Sequence, residues 1–131
     1  MNQKYLAKII AKDKQGLQII SACCAEAKVN ITEIKYLPEN KIFLLSLERF
    51  KIEENKKNIK IKSICKFEFV DSVRSKNINQ NDKDLVLELL AIDLLKNKEN
   101  YEINLIFSDS EYIALSTEII EVTLEDQNED I

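Results

Sequence analysis

The clearest strand pattern in the chain is IKIKSICKFEFVD, residues Ile59–Asp71. Apolar and polar side chains alternate along it, a period of two that is typical of a strand with one buried face and one face in solvent. The apolar parity holds Ile59, Ile61, Cys65, Phe67 and Phe69. The other parity aligns three lysines in a row on the solvent side. We call this row the basic strand face; it consists of Lys60, Lys62 and Lys66.

The residues before this stretch predict a strand, a helix and a hairpin. Lys4–Ala11 reads as a first strand, and Asp13 is placed to cap a helix over Lys14–Lys28. The apolar stripe of that helix is Leu17, Ile20, Cys24 and Ala27. Pro38–Lys41 predicts a tight turn, because proline fixes one dihedral angle and asparagine tolerates a left-handed one. The turn would join a short strand to its hairpin partner, Ile31–Leu37 to Ile42–Phe50.

The residues after this stretch predict further strands and a closing helix. Leu85–Leu95 suits a buried strand or a helix, and we favour a strand. Tyr101–Phe107 alternates cleanly, and Ser108–Glu111 predicts a turn into a returning strand. Thr117 is expected to cap a final helix, and residues 125–131 are expected to fray as an acidic tail. The inner face of that helix would be Ile119, Ile120, Thr123 and Leu124.

This order of elements predicts the α+β class with mostly β structure. Successive hairpins favour an antiparallel bent sheet or a partly open barrel, with one helix after the first strand and one C-terminal helix. Pleckstrin-homology-like domains have such an architecture, which by itself implies no function. A length of 131 residues is typical of one domain, so we expect a single domain over residues 1–131.

Composition excludes several classes of enzyme. The chain has no histidine, so it has no Ser-His-Asp triad, no Cys-His dyad and no histidine metal ligand. Gly16 is the only glycine, so both glycine-rich phosphate-binding motifs are missing. Cys23, Cys24 and Cys65 contain no C-x-x-C pair and are expected to be packing residues. We expect no cofactor and no catalytic residue, and an enzyme is the less favoured class.

One stretch imitates a calcium-binding loop without its essential features. Asn77–Glu88 has oxygen-bearing side chains at positions one, three and five and a glutamate at position twelve. The first three are neutral amides and position six is Asp82, whereas such loops need acidic ligands and a glycine there. We therefore expect no metal site.

The charge distribution is uneven along the chain. Residues 1–76 contain 16 Lys and Arg against 9 Asp and Glu, a net charge of +7, whereas residues 77–131 contain 3 against 14, a net charge of −11. Two interpretations are open. Either the halves neutralise each other across the folded surface, or the basic strand face binds a partner. No apolar stretch is long enough to cross a membrane, and residues 1–14 do not resemble a signal peptide, so we expect a cytoplasmic protein without membrane insertion.

Several stretches together resemble a known family, the alphaproteobacterial domain of unknown function 2948. The resemblance covers nearly the whole chain, and the stretches that carry it are Tyr36-Leu37-Pro38, Phe43, Glu48-Arg49-Phe50, Phe67 through Val73-Arg74-Ser75 to Ile78, Leu89-Leu90-Ala91-Ile92, and Ile103–Leu124. Both arginines of the chain, Arg49 and Arg74, lie inside them. The resemblance implies a bacterial cytoplasmic setting and no assigned activity.

The leading functional hypothesis is a non-enzymatic module that binds a protein partner. Its expected binding residues are Arg49, Lys60, Lys62, Lys66 and Arg74. The first alternative is electrostatic binding of RNA by the same face, because a row of cations can neutralise phosphates. The second alternative is an enzyme of unknown type. The sequence leaves the oligomeric state open.

Overall fold

The computed structural model of the protein describes residues 6–52 and 58–128. These residues form one α-helix, α1 (Lys14–Cys24), a short 3₁₀ turn (Ile31–Glu33) and ten strands. The strands are β1 (Lys8–Ala11), β2 (Ala27–Asn30), β3 (Ile34–Leu37), β4 (Ile42–Ile52), β5 (Asn58–Phe67), β6 (Val70–Lys76), β7 (Val86–Lys96), β8 (Tyr101–Phe107), β9 (Tyr112–Thr117) and β10 (Val122–Asp126).

All ten strands belong to one antiparallel sheet. Its order is β1-β10-β5-β4-β2-β7-β8-β9-β6, and β3 pairs with β4 beside that path. The predicted class, mostly β with antiparallel pairing, is therefore confirmed. The choice of a strand for Leu85–Leu95 is also right, because β7 covers all of it except Leu85.

The sheet bends strongly. In the strand order β6 lies five places from β4, yet the Val70 amide at the start of β6 donates to the carbonyl of Lys41, 2.8 Å away, just before β4. The Tyr36 hydroxyl on β3 donates to the Val70 carbonyl at 2.9 Å. The concave side holds the core, whose largest fully buried side chains include Phe43, Phe67, Phe107, Leu45, Leu89, Leu105 and Leu115.

Helix α1 packs against this core. Asp13 caps it as predicted, since the Gly16 amide donates to Asp13 Oδ1 at 2.7 Å. Leu17, Ile20 and Cys24 are its buried stripe. The helix ends at Cys24 and not at Lys28, because Glu26 adopts a left-handed φ of 69° and the chain then enters β2. The Ala27 that was assigned to the helical stripe is a buried strand residue.

The C-terminal helix predicted after Thr117 is wrong; the segment forms strand β10. Ile120, Val122 and Leu124 are buried at a spacing of two, and β-branched residues favour strands. Ile119, assigned to the inner face of the helix, is 52% exposed. Thr117 ends β9, and its buried hydroxyl has no hydrogen-bond partner among the described residues, so it caps nothing.

Two further boundaries differ from the prediction. The strand predicted over Ile59–Asp71 divides into β5 and β6, because Phe69 takes a left-handed φ of 60° and its side chain is exposed. The tail that was expected to fray from residue 125 contributes Glu125 and Asp126 to β10. The end of that tail, residues 129–131, and the first residues of the predicted strand Lys4–Ala11 lie outside the described residues.

Candidate functional site

The expected binding residues lie at three separate places. Arg49 is buried near the C-terminal end of β4, because it points to the same, inward face as Phe43, Leu45 and Leu47. The basic strand face lies on the outer side of β5. Arg74 lies on β6, at the far end of the strand order from β5. The structure therefore does not bring these residues together on one surface.

Arg49 forms a buried ion pair with Asp126. Its Nη2 donates to both carboxylate oxygens at 2.9 and 3.0 Å, and its Nε donates to Asp126 Oδ1 and to Ser63 Oγ at 3.1 Å each. Asp126 also accepts from the Ser63 hydroxyl at 2.7 Å and from the Ala7 amide at 2.9 Å. Lys51 Nζ lies 3.5 Å from Asp126 Oδ2. This cluster ties β4, β5 and β10 to the chain before β1, which is a structural role.

The hydrogen bonds of this cluster decide the protonation state of Asp126. Burial would raise the pKa of its carboxyl group, but the hydrogen bonds from Ser63, Ala7 and Arg49, together with the charge of Arg49, outweigh burial and lower the pKa below its usual value. The carboxylate is therefore ionised when it pairs with Arg49.

Two cysteines close to this cluster are poor nucleophiles. Burial raises the pKa of Cys24 to about 12, and the charge of Arg49 only partly opposes this. Burial also raises the pKa of Cys65 well above its ordinary value. Because the thiolate is the reactive form, these are packing residues, as their sequence context indicated. Cys23 is half-buried on α1.

The lysines of the basic strand face lie beside carboxylates. Lys60 Nζ is 3.8 Å from Glu48 of β4, and Lys62 Nζ is 3.5 Å from Glu33. Lys66 borders a shallow open depression of about 410 Å³ on the outer side of β1, β10 and β5. The charged residues that line this depression are three lysines, Lys8, Lys12 and Lys66, and three glutamates, Glu68, Glu121 and Glu125.

Strand pairing brings the two charged halves of the sequence into contact. β10, from the acidic half, pairs with β5, from the basic half. Lys12 lies 3.9 Å from Glu121, and Arg49 lies 2.9 Å from Asp126. On β7, Glu88 forms a 3.3 Å ion pair with Lys28 of β2. These contacts favour mutual neutralisation as the interpretation of the charge asymmetry.

A different depression, of about 320 Å³, lies on the outer side of β6, β7, β8 and β9. We call it the Arg74 depression. Across the four strands, Arg74, Ala114, Asn104 and Asp93 stand directly opposite one another. A neighbouring row sets Tyr112 opposite Ile106. The full lining is Arg74, Asp93, Glu102, Asn104, Ile106, Phe107, Ser110, Glu111 and Tyr112.

One cation and three carboxylates line the Arg74 depression. Arg74 donates to Glu102, whose other oxygen accepts from Asn104 Nδ2 at 3.4 Å. Asp93 and Glu111 form no ion pair among the described residues. Burial and then the charge of Asp109 raise the pKa of Glu111. The depression therefore holds more carboxyl groups than cations, although Arg74 was expected to belong to a basic surface.

The turn at Ser108–Glu111 positions one end of this depression. Asp109 and Ser110 both have left-handed φ angles, 61° and 62°, as in the two-residue turns of tight hairpins. Asn77, itself at a φ of 65°, donates from Nδ2 to the Ser110 carbonyl at 2.8 Å. The turn was predicted from sequence, and its anchoring by Asn77 was not.

Sequence reasoning identified Arg74 but missed the residues around it. Asp93, Glu102, Asn104 and Tyr112 come from three strands, and each occupies an outward position in an alternating pattern. That parity was the available signal, but only the register of β6 to β9 shows that they share one depression. Within residues 6–52 and 58–128, no group of three or more His, Cys, Asp and Glu side chains is arranged to hold a metal ion.

No helix in the described part of the chain is long and apolar enough to cross a membrane.

Comparisons with known proteins give one match. A protein-family model described as protein of unknown function (DUF2948) matches residues 7–131, nearly the whole chain. No curated protein and no solved structure matches the chain. The match therefore carries no activity, substrate or partner.

Proposed function

The chain belongs to the DUF2948 family of proteins of unknown function, and from its geometry we propose that it is a non-catalytic module that binds a protein partner. The contact surface is the outer side of β6 to β9, centred on the Arg74 depression. The observation that carries this proposal is the position of that depression beside β6, a strand at the end of the sheet order.

An end strand is a natural contact for a partner chain. β6 pairs with β9 on one side and, in the described residues, has no strand on its other side. Only at its first residue, Val70, do the Lys41 carbonyl and the Tyr36 hydroxyl already bind the backbone amide and carbonyl. Such an edge presents backbone N–H and C=O groups that an extended segment can bind, while pockets nearby select its side chains. Ser72, Arg74, Ser75 and Lys76 are exposed along this strand.

The exposed apolar groups at the depression support the same surface. Ile106 is 38% exposed on β8, and Tyr112 is half-buried beside it on β9. Aromatic side chains with a polar group are common at protein interfaces, because they bury a large area and still form a hydrogen bond.

The basic strand face is a less suitable contact surface for a partner than the Arg74 depression. Its lysines stand beside Glu48, Glu33 and the glutamates near Lys66, and these carboxylates would repel phosphates as well as acidic peptides. Electrostatic binding of RNA by Lys60, Lys62 and Lys66 is therefore the weaker alternative. Arg49 is held by Asp126 inside the protein and would serve a partner only through the fold.

An enzyme is also the weaker alternative. The two fully buried thiols have raised pKa values, so neither supplies a ready nucleophile. The carboxylates of the Arg74 depression sit in an open surface hollow beside Arg74 and Asn104, an arrangement that suits recognition of a side chain better than general acid–base chemistry.

Site-specific photo-crosslinking tests the proposed surface. A photoreactive phenylalanine replaces Lys76 on β6 or, as the matched control, Lys60 on β5; both lysines are exposed strand residues. We expect a discrete protein adduct in cells from position 76 and none from position 60. Nuclease treatment should leave the adduct unchanged.

Three results would contradict the proposal. Adducts formed only from position 60 would restore the basic strand face as the contact surface. Nuclease-sensitive material at position 60 would favour RNA. Equal labelling of many proteins from both positions would mean that neither surface is specific.

Several finer expectations stay predictions: the single-domain organisation, the cytoplasmic localisation and the likeness to pleckstrin-homology domains. The last of these loses one supporting feature, because β10 occupies the place of the expected C-terminal helix.

A further inference from the structure

The Arg74 depression combines an apolar wall with unpaired negative charge. Ile106 and Tyr112 line it alongside Asp93, Glu102 and Glu111. Only Glu102 has a cationic partner, Arg74, among the described residues. A hollow of this kind complements a side chain with an apolar stem and a positively charged end.

We propose that the Arg74 depression binds an arginine or lysine side chain of the protein partner. This inference rests on the proposed function and names the chemistry that the partner would present. The charged end would pair with Asp93 and Glu111, and the stem would pack on Ile106 and Tyr112.

The dimensions of the site suit a long basic side chain. Neighbouring strands are about 4.8 Å apart, so the row from Arg74 on β6 to Asp93 on β7 spans roughly 14 Å. Arg74 itself crosses two strand spacings, from β6 over β9 to Glu102 on β8. Asp93 and Glu111 line the same open depression, so another arginine that enters from solvent meets the two carboxylates that Arg74 does not pair with.

Arginine fits the site better than lysine. Its planar guanidinium can stack on the Tyr112 ring and can bind a carboxylate through two parallel hydrogen bonds. The lysine ammonium is a compact charge that keeps more of its hydration. We therefore expect arginine to bind more tightly than lysine.

Arg74 acts in this scheme as an internal competitor. It occupies Glu102 in the free protein and adds a positive charge beside the site. Its removal should therefore strengthen the binding of a cationic ligand. A surface that binds cations only by overall acidity would show the same sign, but without confinement to this depression.

Titration of the full chain with small amino-acid amides tests the inference by NMR. The probes are N-acetyl-arginine amide, N-acetyl-lysine amide, the uncharged N-acetyl-norleucine amide and N-acetyl-glutamate amide. We expect saturable shifts of the backbone amides of Asn104, Ile106 and Tyr112 with the arginine probe and smaller ones with lysine. The norleucine and glutamate probes should give none.

Charge-neutralising variants identify the groups responsible. Asp93→Asn and Glu111→Gln should each weaken arginine binding about two- to fivefold, the range expected for an exposed ion pair. Arg74→Gln should strengthen it by a similar factor. Glu48→Gln, an exposed carboxylate on β4 beside Lys60, is the matched control and should leave binding unchanged.

The outcomes separate this inference from the proposed function. Equal shifts from the norleucine or glutamate probe, or insensitivity to Asp93→Asn and Glu111→Gln, would overturn the basic-ligand inference. If position 76 still crosslinks one protein, the proposed function would then stand alone. If the arginine probe binds but position 76 captures no protein, the proposed function fails, and the site takes free cationic molecules.

Discussion

Arg49 Nη2 donates to both carboxylate oxygens of Asp126, at 2.9 and 3.0 Å, across 77 residues of sequence. Both side chains are buried, and Ser63 binds each of them. This contact holds the C-terminal strand β10 against β4 and β5. Because β1 pairs with β10, it also fixes the first strand.

Removal of either charge should therefore destabilise the protein strongly. Asp126→Asn or Arg49→Met leaves an unpaired buried charge or polar group, a change that costs about 3–5 kcal/mol in the free energy of unfolding. Urea denaturation measures the effect. Lys60→Met, which breaks the exposed 3.8 Å pair with Glu48, should cost less than about 1 kcal/mol. Equal losses in both cases would contradict a structural role for the buried pair.

The double variant Arg49→Met/Asp126→Leu should cost less than its own two single variants, Arg49→Met and Asp126→Leu, together. Arg49→Met with Asp126→Leu removes both charges, and residues in contact couple by about 0.5–3 kcal/mol. A double-mutant cycle in urea gives this coupling. Additive losses would mean that the two side chains stabilise the fold independently.

The pH dependence of stability should show the same contact. The pKa of Asp126 is lowered in the folded protein, so its stabilising contribution is fully present above the unfolded pKa of about 4 and disappears as the pH falls through the folded value. The difference in unfolding free energy between the natural chain and Asp126→Asn should therefore narrow below about pH 4. Urea denaturation at a series of pH values measures it, and a constant difference down to pH 2 would be the contrary result.

The cysteines should differ in reactivity. Burial raises the pKa of Cys24 to about 12 and also raises the pKa of Cys65, so both thiols should resist iodoacetamide at pH 8 in the folded protein. Cys23 is half-buried and should be modified first. Mass spectrometry of peptides from folded and urea-unfolded protein distinguishes the sites. Rapid modification of Cys65 in the folded protein would contradict its position in the core.

The turn before β9 should tolerate glycine where a strand does not. Ser110 is exposed and has a φ of 62°, so Ser110→Gly should stabilise the protein by about 1 kcal/mol by relieving left-handed strain. Ser116→Gly, within β9 and paired with strands on both sides, should destabilise it by a similar amount, about 1 kcal/mol. Thermal unfolding of the two variants should shift in opposite directions. Parallel shifts would show that backbone conformation is not the cause.

Gly16 should resist replacement by alanine although it lies in a helix. Alanine favours a helix by about 1 kcal/mol over glycine. An added Cβ at Gly16, however, would stand 3.0 Å from both Cα and Cβ of Ala11, which cannot rotate away. We therefore expect Gly16→Ala to lower the melting temperature. Ala22→Gly, at an exposed position of α1, is the control for helix propensity and should lower the melting temperature. If helix propensity alone decided, Gly16→Ala would instead raise the melting temperature, which is the contrary result.

Local patterns in the sequence determined much of the framework. The alternation in β5 and β8, the capping by Asp13 and the turn at Ser108–Glu111 depend on neighbouring residues, so their signals are present in the sequence itself. The mostly-β antiparallel class followed from these signals. The helix predicted after Thr117 was wrong, because in so short a segment the apolar residues fit the spacing of a strand as well as that of a helix. Pairing with β5 makes the segment a strand.

Long-range register alone decided the surfaces. The sequence predicted that Lys60 and Lys62 belong to a basic face. In the fold, Glu48 of β4 and Glu33 of the 3₁₀ turn lie beside them. Arg49 read as a surface cation until its inward parity and Asp126 placed it in a buried ion pair. The Arg74 depression gathers side chains from four strands, β6 to β9. Alternation tells which face of a strand a side chain occupies, but the pairing partner, and hence the charge that it meets, is a property of the folded sheet.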